Sequence, residues 1–120
     1  MIDTAITEIL YQLTDNVYER EVLSTDDLPA LCYRGLSDIP NDTLDMTGYR
    51  EAHYQISAVS GSSVEASVLA KQLRNHLRVL AGPFGGVNIA QITEKQTIPD
   101  FSGDPDVHRK IIDFIFYYGE

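Results

Sequence analysis

The segment from Tyr49 to Leu80 constrains the fold more tightly than any other part of the chain. Arg50, Ala52, Tyr54, Ile56 and Ala58 alternate with Glu51, His53, Gln55 and Ser57. Successive strand side chains point to opposite faces, so this period of two predicts a half-buried strand. Gly61 breaks the run, and Ser62, followed three residues later by Glu65, forms a capping box. Ala66, Leu69, Leu73, Leu77 and Leu80 then recur at the spacing of one helix face. Lys71, Arg74 and Arg78 lie off that face, and the two arginines suit the C-terminal end of the helix dipole. Gly82-Pro83 predicts the stop.

The flanking segments read in the same way. Ile2, Ile6, Ile9, Leu10 and Leu13 form the stripe of an N-terminal helix, with Ala5 beside it and Asp3 near its start. A short strand is expected around Val17–Val22, a turn over Ser24-Thr25-Asp26-Asp27, and a second strand over Ala30–Gly35. Asp38 to Gly48 is polar, contains Pro40 and has neither period, so it reads as a loop. Val87 to Gln96 reads as a strand, with Ala90 and Ile92 on one face and Val87 and Ile89 on the other. Gly82-Pro83-Phe84-Gly85-Gly86 and the stretch from Pro99 to Asp106 read as turns. From Arg109 to Tyr118 both faces are largely apolar, the pattern of a central strand or one with a covered outer face. The order predicts an α+β fold: a mostly antiparallel sheet with two helices packed on one face.

Length sets the scale of the molecule. Residues 1–120 read as a single domain, since domains typically hold about 100–200 residues. Cys32 is the only cysteine, so no disulfide forms within the chain. No stretch approaches the ~20 apolar residues of a membrane-spanning helix, so no membrane partner is expected. The opening MIDTAITEIL lacks the basic region of a secretory signal, which leaves the Asn41-Asp42-Thr43 sequon without a secretory context. A net charge of −9 argues against ordinary binding to a phosphate backbone, which needs clustered Lys and Arg.

Catalytic chemistry finds no support in these residues. Hydrolysis needs a nucleophile beside a base, or a metal that activates water. Cys32 falls inside a predicted strand, where a buried inert thiol is the expected state. His53, His76 and His108 lack metal-ligand spacing. Asp100, Asp104, Asp106 and His108 offer oxygen ligands but miss the spacing of a calcium loop, so they read as turn carboxylates. The glycine-rich stretch follows a helix instead of opening one, and is no phosphate cradle. No catalytic, cofactor-binding or metal-ligating residue is therefore expected. Val68 and Val79, close to Gln72 and Asn75, lie on the helix face opposite Leu73. With the doubly apolar last strand they suggest a protein–protein interface.

The chain resembles the small tail-terminator and tail-completion proteins of long-tailed phages, relatives in architecture of the lambda tail terminator. The segments that carry the resemblance are MIDTAITEILYQL, PALCYRGLSD, YREAHYQISAVSGSSVEASVLAKQLRNHL, GVNIAQITEKQTIPD and VHRKIIDFIFYYGE. They span nearly the whole chain and match in order, length and texture. The resemblance implies a structural role without cofactor. A ring of copies, six in the family, caps the tail tube when elongation stops and presents a surface to head-completion or connector proteins. It implies a place in the tail or neck of the virion, assembly in the host cytoplasm, and DNA passing through the lumen without specific binding. A ring needs two different patches per subunit. Val68, Gln72 and Val79 on the helix, Ile111 and Ile115 on the closing strand, and Asp42 and Asp45 in the polar loop are the candidates for subunit or partner contacts. A different neck or head–tail joining component of similar fold is one alternative. A lone small-ligand-binding α+β domain, with a deep pocket and convergent polar groups, is another.

Overall fold

A computed structural model describes residues 2–19, 29–41, 49–98 and 107–119. The elements are α1 (Ile2–Leu10), β1 (Val17–Tyr18), β2 (Ala30–Asn41), β3 (Tyr49–Ser60), α2 (Ser63–Arg78), β4 (Gly82–Phe84), β5 (Val87–Ile98) and β6 (His108–Gly119). They form one curled, mostly antiparallel sheet in the order β1-β2-β3-β6-β5-β4; only the β1–β2 pair is parallel. Both helices pack on the same face, so the α+β expectation holds. Ile2, Ile6, Ile9 and Leu10 from α1 meet Leu69, Leu73 and Leu77 from α2 over Tyr54, Ile56, Ile112, Phe114 and Phe116 of the sheet.

The Tyr49–Leu80 unit forms as its periods require. In β3, Ala52, Tyr54, Ile56 and Ala58 are buried under the helices, while Glu51, His53 and Gln55 are half-buried on the other face. The Ser62 hydroxyl accepts from the Glu65 N–H at 3.5 Å and starts α2. The helix ends at Arg78 with Val79 as its C-cap, before the Gly82-Pro83 stop; Leu80 lies past the end and packs against the core. The closing strand β6 is central, flanked by β3 and β5. Its Ile112, Phe114, Phe116 and Tyr118 face is covered by the helices, while Ile111 and Ile115 lie on the helix-free face.

Several elements differ from the sequence reading. The α1 helix ends at Leu10, and Leu13 reaches the core from the turn that follows. The expected loop at Asp38 begins only after Asn41, because residues 38–41 continue β2 and pair with residues 49–52. A register shift between Gly35 and Ser37 hides the period: Leu31 and Tyr33 face inward before it, and Asp38 lies opposite buried Ala52 after it. In β5, a shift between Ile89 and Gln91 places Val87, Ile89 and Ile92 all inside and leaves Ala90 exposed, which corrects the expected two-face division. Gly82–Phe84 is a short strand. Gly85 and Gly86, with φ of 55° and 86°, form the two-residue hairpin turn to β5. Of the strand expected at Val17–Val22, Val17 and Tyr18 are strand; residues 20–22, the 24–27 turn, most of the polar loop and the 99–106 turn lie outside the described residues.

Candidate assembly surfaces

The outward side of α2 carries an apolar ridge. Val68 is 52% exposed and Val79 82%, and Gln72 is exposed between them. Val64, 75% exposed and one turn before Val68, extends the ridge and was missed in the sequence reading. Its signal was available, since 64 and 68 are four apart and both lie away from Leu73. Lys71 and Arg78 are exposed on the same helix. Arg74 is held down against the sheet, its Nε 2.8 Å from Glu94 Oε1 and its Nη2 2.7 Å from Thr97 Oγ1.

The second surface is the helix-free face of the sheet. Ile111 and Ile115 point there and are half-buried. Near them Ala30, Cys32, Val59 and Val107 form a small apolar cluster, with Tyr18 packed against it. Cys32 is buried and in no disulfide, as its strand position and its being the only cysteine predicted. Asp113 is buried on this face at 6% exposure; its Oδ2 accepts from Gln96 at 2.8 Å, and its Oδ1 has no partner among the described residues. The structure thus puts Val68, Gln72 and Val79 on one side of the molecule and Ile111 and Ile115 on the other. Asp42 and Asp45 lie outside the described residues.

A third group lies at the Asp38 end of the sheet. Tyr118 donates to Asp38 Oδ2 at 2.6 Å, and Arg50 Nε donates to Asp38 Oδ1 at 3.0 Å. Tyr54 donates to Asp3 on α1, and Tyr33 shares a 2.9 Å hydrogen bond with Thr7. Burial pushes the Tyr118 hydroxyl up to about 12, and donation to Asp38 acts in the same direction. Burial, then donation to Asp3, raises Tyr54 as well. The Asp38 bond keeps Arg50 firmly charged. Each group is consumed in fastening α1 and β2 to the sheet.

A cleft of about 270 Å³ between α2 and β5 is lined by Arg74, Leu77, Arg78, Ile92, Glu94 and Phe114. Of its polar lining, Arg74 and Glu94 are engaged with each other, and Asn75 and Arg78 complete it. Among the described residues no three His, Cys, Asp or Glu side chains group to hold a metal ion. No described helix is long and apolar enough to cross a membrane.

No family model and no curated protein matches the chain. Among solved structures, it is similar to a chain of the virion of native gene transfer agent (GTA) particle, with a TM-score of 0.65. The match covers 99% of this chain and 97% of that one, at 13% sequence identity. The likeness is one of fold. It extends from end to end, so the two chains share their size as well as their element order.

Proposed function

We propose that this chain is a structural subunit of a phage-like virion, and within it a tail terminator. A ring of copies, six as in the family it resembles, caps the tail tube, ends its elongation and offers the opposite side to head-completion or connector proteins. The observation that carries this reading is the end-to-end fold likeness to a virion chain of nearly the same length. Two features of the molecule support it. Asp38, Arg50, Tyr54 and Tyr118 are spent on internal fastening, and exposed apolar residues concentrate on surfaces a neighbour can cover. The α2 ridge (Val64, Val68, Gln72 and Val79) and the helix-free face around Ile111 and Ile115 are the surfaces we assign to virion neighbours. Asp42 and Asp45 belong to the proposal by sequence position alone.

The net charge of −9 fits a ring through which DNA passes without sticking, because like charges repel. Negative-stain imaging of tails assembled with and without this protein tests the reading. Its loss is expected to give tubes of uncontrolled length that fail to join heads. Unchanged tail length and head joining would refute it.

A further inference from the structure

The sheet ends in two very short strands placed beside two long ones. Among the described residues β1 pairs with β2 only at Leu31 and Cys32, and β4 with β5 only at Val87, Asn88 and Ile89. Among the described residues, β2 from Tyr33 to Asn41 and β5 from Ala90 to Ile98 therefore have a ladder on one side only. Exposure agrees with the pairing. Every residue from Arg34 to Ile39 is exposed, as are Ala90, Gln91 and Glu94 to Thr97. Leu36 and Ile39, both 48% exposed, add apolar surface to the β2 edge. Edges of this length are templates for another strand.

We propose that the two edges pair with each other between copies of this chain, so that β2 of one copy adds to β5 of the next and a continuous sheet runs around the ring. This rests on the ring reading above and names the contact that closes it. Direction comes first. β2 and β3, β3 and β6, and β6 and β5 are all antiparallel, so β2 and β5 run in opposite directions within one copy. A second copy set alongside in the same orientation then meets β2 with an antiparallel β5. Level comes second. Ser37 pairs with His53, His53 with Ile115, and Ile115 with Thr93, so Ser37 and Thr93 stand in one row at the two sides of the sheet. Face comes third, because a one-residue slip would turn every side chain over. Tyr33 and Thr97, also in one row through Ile56 and Ile112, both reach helix residues, Thr7 of α1 and Arg74 of α2. A neighbour in register thus presents its helix side beside this copy's helix side.

Closing the ring this way satisfies both edges with one type of contact. A two-fold pairing of β2 with β2 would leave β5 open. Exposed Lys95 and the register shifts in β2 and β5 are the kind of feature that discourages indiscriminate strand addition. With the edges used between copies, the α2 ridge and the helix-free face stay available for other virion proteins.

Cross-linking the purified chain tests the pairing. Ser37→Cys and Thr93→Cys are made separately on a Cys32→Ala background, with Gln91→Cys to cover a two-residue slide. Opposed residues of an antiparallel pair have Cα atoms about 4.5–5.5 Å apart, within disulfide reach. Under mild oxidation at high concentration, Ser37→Cys mixed with Thr93→Cys or Gln91→Cys is expected to give covalent dimers, and neither variant alone. Leu36→Glu with Ile39→Glu, both at exposed positions, is expected to shift the association to monomer while circular dichroism stays unchanged. Rings in negative stain without the mixed cross-link would overturn edge pairing and leave the ring reading standing. Dimers from Ser37→Cys alone would show two-fold pairing and overturn head-to-tail closure. A monomer without cross-links overturns the pairing too, while tail-length imaging decides the ring reading separately.

Discussion

Single residues hold the Asp38 end of the sheet by hydrogen bonds instead of close packing. Tyr118 is 1% exposed yet ends its hydroxyl on Asp38, and a buried hydroxyl without an acceptor costs about 1–3 kcal/mol. Tyr118→Phe removes donor and need together, so it is expected to cost only about 1 kcal/mol at neutral pH, read as a urea midpoint. The pH dependence has a definite sign. The folded-state value for Tyr118 is raised to about 12, against about 10 for an unfolded tyrosine. As pH rises between those values the unfolded chain loses the proton first, so it binds fewer protons than the native state and stability falls. Tyr33 and Tyr54 are raised also, chiefly by burial, and add to the same alkaline loss. Urea unfolding at rising alkaline pH is expected to show this decline, with a shallower slope in Tyr118→Phe. Equal slopes in the two proteins would rule Tyr118 out as a contributor.

Elements meet at two junctions that mutations can separate. In the β4–β5 turn both glycines have positive φ, but only Gly85 touches another element: a Cβ there would lie 2.5 Å from the Ala5 nitrogen, and its N–H donates to Glu8 Oε2 at 2.8 Å. At Gly86 an added Cβ meets nothing within 4 Å. Gly86→Ala is expected to cost about 1 kcal/mol for its backbone alone. Gly85→Ala should cost at least ~1–3 kcal/mol more, because overpacking displaces α1. Thermal unfolding of both variants checks the order, and equal losses would mean that α1 does not rest on the turn. The two sides of α2 differ as sharply. Leu73→Ala empties a fully buried site and is expected to cost about 2–5 kcal/mol, while Val68→Ser should stay within about 0.5 kcal/mol in the isolated chain. The inward face of α2 and the alternation in β3 were legible because each period is local and unbroken. The β2 extension and the faces of β5 were not, because register shifts at Gly35/Ser37 and Ile89/Gln91 change the parity partway along. At Asp38 an inward position is polar and is satisfied by Arg50 and Tyr118, partners 12 and 80 residues away. Of the candidate surfaces, the sequence showed Val68 and Val79 by their helix angle, but not the open edges. An edge is defined by which strand fails to pair, and pairing is long-range.

At the scale of the whole molecule, strand length governs shape. Each of β2, β3, β5 and β6 holds 12 residues, or ~40 Å at about 3.3 Å per residue, and the chain is 49 Å long by 25 and 22 Å. The Cα radius of gyration, 14.5 Å, exceeds the ~13.6 Å of a compact domain of this length. A long, thin sheet with open sides exposes more backbone than its helices cover, and side-by-side association removes that exposure along its full length. Charge opposes the step, since every copy brings −9. At ~0.1 M salt the screening length is about 10 Å and shortens as salt is added, so added salt should relieve the repulsion. Backbone hydrogen bonds and the Leu36 and Ile39 contacts are not weakened by screening. Self-association through the edges is therefore expected to strengthen as salt rises. Contact through the exposed cations of α2, Lys71 and Arg78, would be attraction to an acidic neighbour and would weaken over the same range. Sedimentation velocity across a salt series separates the two. A mean mass that falls with salt would assign the contact to the α2 cations and not to the edges of the sheet.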